Sequence, residues 1–182
     1  MSNGIFTTEQ AKVEHKTSPR LARELSKVIP SNRNVIDYGC GKGEYLQHLS
    51  TMGFKCFGYE GTDLGDLAVY KKIRKCDLTK PIGERPSGTV ICLEVAEHIP
   101  PKFEDVFIKN ITENCEGRLI VSWAIVGQGG CGHLNEQNAA YVIAKFEALG
   151  FELNRTVSEQ LRTAAGRDLW WFKNSIYVFD KA

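Results

Sequence analysis

Asp37 stands two residues before Gly39, which is followed at alternate positions by Gly41 and Gly43, in Val35-Ile36-Asp37-Tyr38-Gly39-Cys40-Gly41-Lys42-Gly43. An apolar run ending in an acid and then in spaced glycines predicts a buried parallel strand that turns sharply into a helix. Glycine permits the turn and leaves room for a ligand beside bare backbone. A dinucleotide-binding turn spaces its glycines G-x-G-x-x-G and seats a pyrophosphate at the helix N-terminus. Here the third glycine comes one position early, and the carboxylate just before the turn would repel a pyrophosphate. It suits a ligand with an ammonium group, because opposite charges attract strongly in a partly dry cleft.

Further acids and histidines recur at the ends of later strand-like runs. Lys55-Cys56-Phe57-Gly58-Tyr59-Glu60 reads as a second strand ending in Glu60, which follows Asp37 by about the interval, roughly 20 residues, between a glycine turn and a ribose-binding acid. Lys75-Cys76-Asp77-Leu78 reads as the end of a third strand; Asp77 with the following Leu-Thr fits an Asx turn equally well. Thr89 to Leu93 reads as a fourth, followed by Glu94-Val95-Ala96-Glu97-His98-Ile99-Pro100. A fifth, Gly117 to Trp123, leads into Gly127-Gln128-Gly129-Gly130-Cys131-Gly132-His133, four glycines in six positions before a histidine. His133 either faces the mouth of the sheet or braces the loop while Asn135 caps the next helix.

In this order the segments resemble the class I S-adenosylmethionine-dependent methyltransferases, whose first motif has the form E/D-x-G-x-G-x-G. Many small members carry an E-V-x-E-H segment like Glu94 to His98. Ordered motifs are far more specific than a lone glycine run. The resemblance implies an α/β, Rossmann-like fold: a seven-stranded, mostly parallel sheet with helices on both faces and an antiparallel C-terminal hairpin. It implies S-adenosylmethionine as cofactor, held by Asp37, Gly39, Cys40, Gly41, Glu60, Asp77, Leu78 and Glu94, with Glu60 on the ribose hydroxyls and Asp77 near the adenine. Glu97 and His98 then lie beside the reactive methyl, either acting on the acceptor or shaping the pocket under the proline pair. With His133 they are the candidate catalytic residues, conditional on an acceptor whose proton must leave.

The elements that would position these groups follow from periodicity. Ser18-Pro19 offers an N-cap and a first-turn proline, and Leu21, Leu25, Val28 and Ile29 recur on one helical face. Tyr45, Leu46, Leu49 and Met52 mark a second helix, Phe103, Val106, Phe107 and Ile111 a third, and Val142, Ile143, Phe146 and Leu149 a fourth that ends at Gly150. Alternation of such helices with strands argues for a parallel sheet covered on both faces. The last strands are expected at Phe151 to Val157 and Ser175 to Phe179, with part helix and part aromatic turn between them. There Trp170-Trp171-Phe172 reads as a cluster on the sheet edge, with an aromatic substrate wall as the sharper alternative.

The chain has 182 residues, 42% hydrophobic and 25% charged, with a net charge of +1. That suits one soluble domain over 1–182, with 1–30 a helical extension packed on the core, and no bulk basic field for nucleic acid. Lys12, Lys16, Arg20, Arg23 and Lys27 are interrupted by Glu14 and Glu24, as on a solvated face. No apolar run approaches the roughly 18 residues of a membrane span, and no secretion signal opens the chain, so a cytoplasmic protein without a membrane partner is expected. The six cysteines form no C-x-x-C pair and read as reduced thiols, buried where they fall on strands; no metal site is expected from them. Neither an N-P-P-Y or D-P-P-Y segment nor a Pro-Cys nucleophile is present. The expected acceptor is a small molecule, such as a sugar or other metabolite methylated on oxygen. The alternatives are RNA, including cap, or protein methylation, and a non-catalytic S-adenosylmethionine-binding subunit. The 127–133 loop is expected to be a lid or acceptor-pocket wall.

Overall fold

The computed structural model describes residues 5–181. Seven strands form one sheet: β1 (Val35–Tyr38), β2 (Cys56–Glu60), β3 (Ile73–Lys75), β4 (Gly88–Cys92), β5 (Cys115–Ser122), β6 (Phe151–Leu153) and β7 (Ile176–Lys181), in the order β3-β2-β1-β4-β5-β7-β6. β1 pairs in parallel with β2 and β4, and β2–β3 and β4–β5 are also parallel. The C-terminal strands are antiparallel, β7 lying between β5 and β6.

All four residues of β1 are buried, as a central parallel strand covered on both faces requires. Val35 belongs to one core cluster with α2 (Pro19–Val28), α3 (Glu44–Thr51) and α6 (Arg155–Ala165), whereas Ile36 and Tyr38 join the opposite cluster with α4 (Glu104–Thr112) and α5 (Ala139–Glu147). This is the period-2 alternation of a strand between two helical layers. α2 starts where Ser18 accepts from the Leu21 amide with Pro19 in its first turn, and it buries Leu21, Ala22, Leu25 and Val28. Before it, α1 (Thr8–Glu14) begins with a reciprocal capping box between Thr7 and Gln10.

Several boundaries differ from the pattern in the sequence. The strand expected from Phe151 to Val157 stops at Leu153 because Asn154 accepts from the Val157 amide at 3.0 Å and starts α6. β6 and β7 are joined by α6 and α7 (Phe172–Ser175), in keeping with the part helix expected between them. β3 ends one residue before Cys76, which is half-buried. Met52 and Leu149, expected on inner faces, are 60% and 49% exposed. Each lies beyond the last helical residue, where the chain is already turning away from the core. The helix after the glycine loop is capped by Asn138, which accepts from Tyr141, and not by Asn135. Asn135 is buried, accepting from the Trp123 indole through its carbonyl and donating to Glu104.

From β1 the chain goes out through β2 to β3 and then returns to the other side of β1 with β4. At such a reversal the connections leave in opposite directions and open a crevice at the carboxyl ends of the strands. Asp37, Glu60 and Glu94 all sit at that end.

Candidate active site

The glycine turn is built by close approach as much as by backbone angle. Gly39 has φ 73°, and a Cβ there would lie 2.2 Å from Val95 Cγ2; Gly41 has φ 54°, and a Cβ there would lie 2.8 Å from His15 Nδ1. Any side chain at either position would meet a neighbour and strain the backbone. The Gly39 amide donates to the Tyr59 carbonyl at 2.8 Å, tying the turn to β2. At the end of β2, Glu60 receives the Gly41 amide at 2.9 Å through Oε2 and the Thr62 amide at 2.9 Å through Oε1.

A cavity of about 390 Å³ opens at this point. Asp37, Glu60 and Glu94 form its acidic side, with Cys40, Gly41 and Leu78 beside them. His98, His133 and the loop residues Gln128 to Cys131 line the same cavity. The N-terminal segment closes over it: Ile5, Phe6, His15 and Lys16 line the same space, and Thr62 donates to the Phe6 carbonyl at 2.8 Å. Phe6 packs edge-on against His98 with ring centroids 4.8 Å apart. The aromatic cluster before β7 divides. Phe172 is buried in the face packed by α2, α3 and α6 and Trp170 is 62% exposed, yet Trp170, Trp171 and Phe172 all line the cavity.

Two of the anticipated residues stand off the wall. The Asp77 carboxylate receives the Thr79 amide and hydroxyl and pairs with Lys80 at 3.0 Å, closing an Asx turn while its neighbours Cys76 and Leu78 face the cavity. Glu97 is fully buried behind the wall, and neither of its carboxylate oxygens makes a well-formed hydrogen bond.

Burial dominates the electrostatics. Loss of water, reinforced by the charge of Glu60, pushes Asp37 up to about 8. Burial raises Glu94 to about 7 against the opposing hydrogen bond from Ser122, whose hydroxyl lies 2.7 Å from Glu94 Oε1. Burial first, and Glu94 second, hold Glu97 well above the usual carboxylate range. Burial lowers His98 to about 4, so its ring is neutral near pH 7. Glu94 is also the one non-glycine residue with positive φ among those described, at 58°; such strain persists only where the surroundings impose it.

His98 and His133, 35 positions apart in the chain, meet edge to face with ring centroids 5.1 Å apart. His133 Nδ1 lies 2.8 Å from Glu136 Oε1, and Glu136 also receives the Gly127 and Gly129 amides at 2.8 and 2.7 Å. Glu136 escaped the sequence reading although its spacing from His133, three residues on, was a usable signal. The N-terminal contribution carried none, because nothing local marks a residue that arrives at the site from another part of the chain, whereas Trp170 lay in the aromatic cluster for which a substrate wall was the alternative.

A model of the methyltransferase domain matches residues 10–123, more than half of the chain. Among solved structures, a sugar N-methyltransferase from a Streptoalloteichus species superposes with TM-score 0.69 at 15% identity, covering 93% of this chain and 90% of that one. A magnesium protoporphyrin IX methyltransferase from Synechocystis with S-adenosylmethionine bound gives 0.66 at 17% identity, covering 96% and 90%. A TehB-like S-adenosylmethionine-dependent methyltransferase from Corynebacterium glutamicum gives 0.64 at 20% identity, covering 96% and 93%. No curated protein matches the sequence. The fold, with its crevice at the β1/β4 reversal, is that of the class I methyltransferases. The chain belongs to the methyltransferase-domain family and is an S-adenosylmethionine-dependent methyltransferase. Its cleft fits that cofactor: bare glycine backbone and the buried acids Asp37 and Glu60 line one cavity. No helix among the described residues is long and apolar enough to cross a membrane.

Proposed function

We propose that this methyltransferase acts on an oxygen of a small molecule held between the glycine turn and the 127–133 loop. The observation that carries this reading is the pair of imidazoles, His98 and His133, lining the same cavity as Asp37 and Glu60. A cavity of about 390 Å³ lies within the roughly 300–1,000 Å³ of small-molecule sites. Two of the similar structures, a sugar N-methyltransferase and a magnesium protoporphyrin IX methyltransferase, support the small-molecule class of acceptor. The net charge of +1 favours a small acceptor over generic RNA.

When bound, the cofactor supplies an activated methyl group on its sulfonium. Asp37 takes the ammonium end, Glu60 the ribose hydroxyls, and the Cys76–Leu78 segment borders the adenine, with Asp77 setting that segment through its Asx turn. Phe6, His15 and the glycine loop exclude water, which strengthens each charge interaction inside and leaves alignment as the main catalytic contribution. An acceptor hydroxyl must also lose its proton. His98, lowered to about 4, is a weak base suited to orienting the acceptor, and His133 is better placed to receive the proton.

The test is incubation with methyl-labelled cofactor and separate metabolite, RNA and protein pools, followed by identification of the labelled product. A labelled small molecule with oxygen as the methylated atom is expected. Label in RNA or protein would overturn the acceptor class. Cofactor binding without S-adenosylhomocysteine in any pool would indicate a binding subunit.

A further inference from the structure

Glu97, His98 and His133 each present a ligand atom, and these atoms all lie within 4.8 Å of one another. Ligands about 2.1 Å from one cation stand roughly 3–4 Å apart, so modest side-chain rotation brings the three on to a single ion. We propose that they form a binding site for a first-row divalent cation such as Zn²⁺, Mn²⁺ or Co²⁺, with at least one coordination position open to the cavity.

Three independent features point to a cation. The first is Glu97, fully buried, with neither carboxylate oxygen in a well-formed hydrogen bond and with the Glu94 carboxylate as its neighbour. An ionised carboxylate buried without hydrogen bonds is costly, so such an acid is either neutral or paired with a cation. The second is the orientation of the imidazoles. His98 Nδ1 lies 3.2 Å from the Gly132 carbonyl, which only accepts, so Nδ1 carries the proton and Nε2 the lone pair. His133 Nδ1 donates to Glu136, itself fixed by the Gly127 and Gly129 amides, which likewise leaves Nε2 as the ligand atom. Metal-bound histidines characteristically have their second nitrogen held by a carboxylate or carbonyl in this way. The third is access: His98 and His133 face the cavity whereas Glu97 lies behind it, so an ion between them has protein on one side and acceptor space on the other.

The donor set decides the class of ion. Two imidazoles with a carboxylate suit the transition metals and zinc, while Mg²⁺ and Ca²⁺ prefer oxygen alone. The inference deepens the reading of this site as an acceptor pocket but replaces the role of His133 as proton acceptor: with its Nε2 on the ion, an acceptor hydroxyl bound at the open position would instead give its proton to water more readily and present its oxygen pair to the methyl carbon. It does not need that reading for its test, because the metal alone is the probe.

The full chain, stripped with chelator and dialysed, is titrated with Co²⁺, followed by visible absorption and by equilibrium dialysis with Zn²⁺ and Mn²⁺. One cation per chain is expected, with absorption bands of nitrogen and oxygen coordination. H98A, H133A and E97Q should each weaken binding at least tenfold, and E136A should weaken it about tenfold through loss of the second hydrogen bond. H133A, on a surface loop, keeps the test decisive if a buried-site variant fails to fold, which thermal melting reveals. Absence of binding at millimolar cation, or stoichiometric binding unchanged in H133A, overturns the proposal. Cofactor affinity is measured on the same metal-free protein. Cofactor binding without metal binding defeats this inference alone, and metal binding without cofactor binding defeats the function reading alone.

Discussion

Glu60 Oε2 accepts the Gly41 amide at 2.9 Å, so the acid at the end of β2 is bonded to the very turn that follows β1. This bond, with the Thr62 amide on Oε1, pre-sets the carboxylate at the crevice before any ligand arrives. Hydrogen bonds to charged groups contribute about 1.5–3 kcal/mol, which is one to two decades of affinity. Glu60→Ala is therefore expected to weaken S-adenosylmethionine binding at least tenfold, and Gly41→Val, which drives a branched side chain toward His15, should do the same or more. Calorimetric titration of the folded variants measures both; unchanged affinity in the pair would remove the cofactor assignment from this turn.

Asp37 links the cofactor to pH. Its folded value, raised to about 8 from 3.8 by burial and by Glu60, means the fold prefers the neutral acid. Its contribution to stability is fully present below about 4 and is lost as pH rises through about 8. A bound ammonium reverses the preference, so binding below pH 8 should release up to one proton and tighten as pH approaches 8. Titrations in two buffers of different ionisation enthalpy read the proton directly. Asp37→Asn should abolish the release and weaken binding; the same release in that variant would place the titrating group elsewhere.

His133 and Glu136 act as a unit. His133→Ala is expected to lower turnover by roughly 10² or more while leaving cofactor affinity nearly intact. Gly130→Ala offers an independent approach, because a Cβ there would sit 2.3 Å from His133 Nε2 and must push the ring aside. Its turnover should fall toward that of His133→Ala with an unchanged melting temperature. Turnover within a factor of two of wild type for both, at saturating acceptor, would exclude this ring from the chemistry.

Trp170 separates binding from folding. At 62% exposure on the cavity rim, it contributes little to the core, so Trp170→Ala should leave thermal stability within about 0.5 kcal/mol. Loss of an aromatic surface for the acceptor should raise KM several-fold with kcat little changed. Steady-state kinetics on the identified acceptor tests this, and an unaltered KM would leave Trp170 outside the acceptor path.

The interaction of local pattern with tertiary placement is visible residue by residue. Apolar runs, the spaced glycines and the helical faces determined the alternating α/β order, the turn after β1 and the sequence of acids Asp37, Glu60 and Glu94, because strand period, helix period and turn chemistry are local properties. Helix and strand ends were less legible: Asn154 starts a helix where β-type residues suggested continued strand, since one capping bond outweighs weak propensity. Beyond strand ends, periodicity says nothing about direction. Glu94 turns the chain with φ 58° into the short helical turn Ala96–His98, which sends His98 to the cavity wall and Glu97 behind it. Only the packed chain brings His133 against His98 and Phe6 against His98, and only it buries Glu97 without a well-formed hydrogen bond. These relationships join segments tens of residues apart, and their energy comes from burial and close approach, which no local pattern encodes.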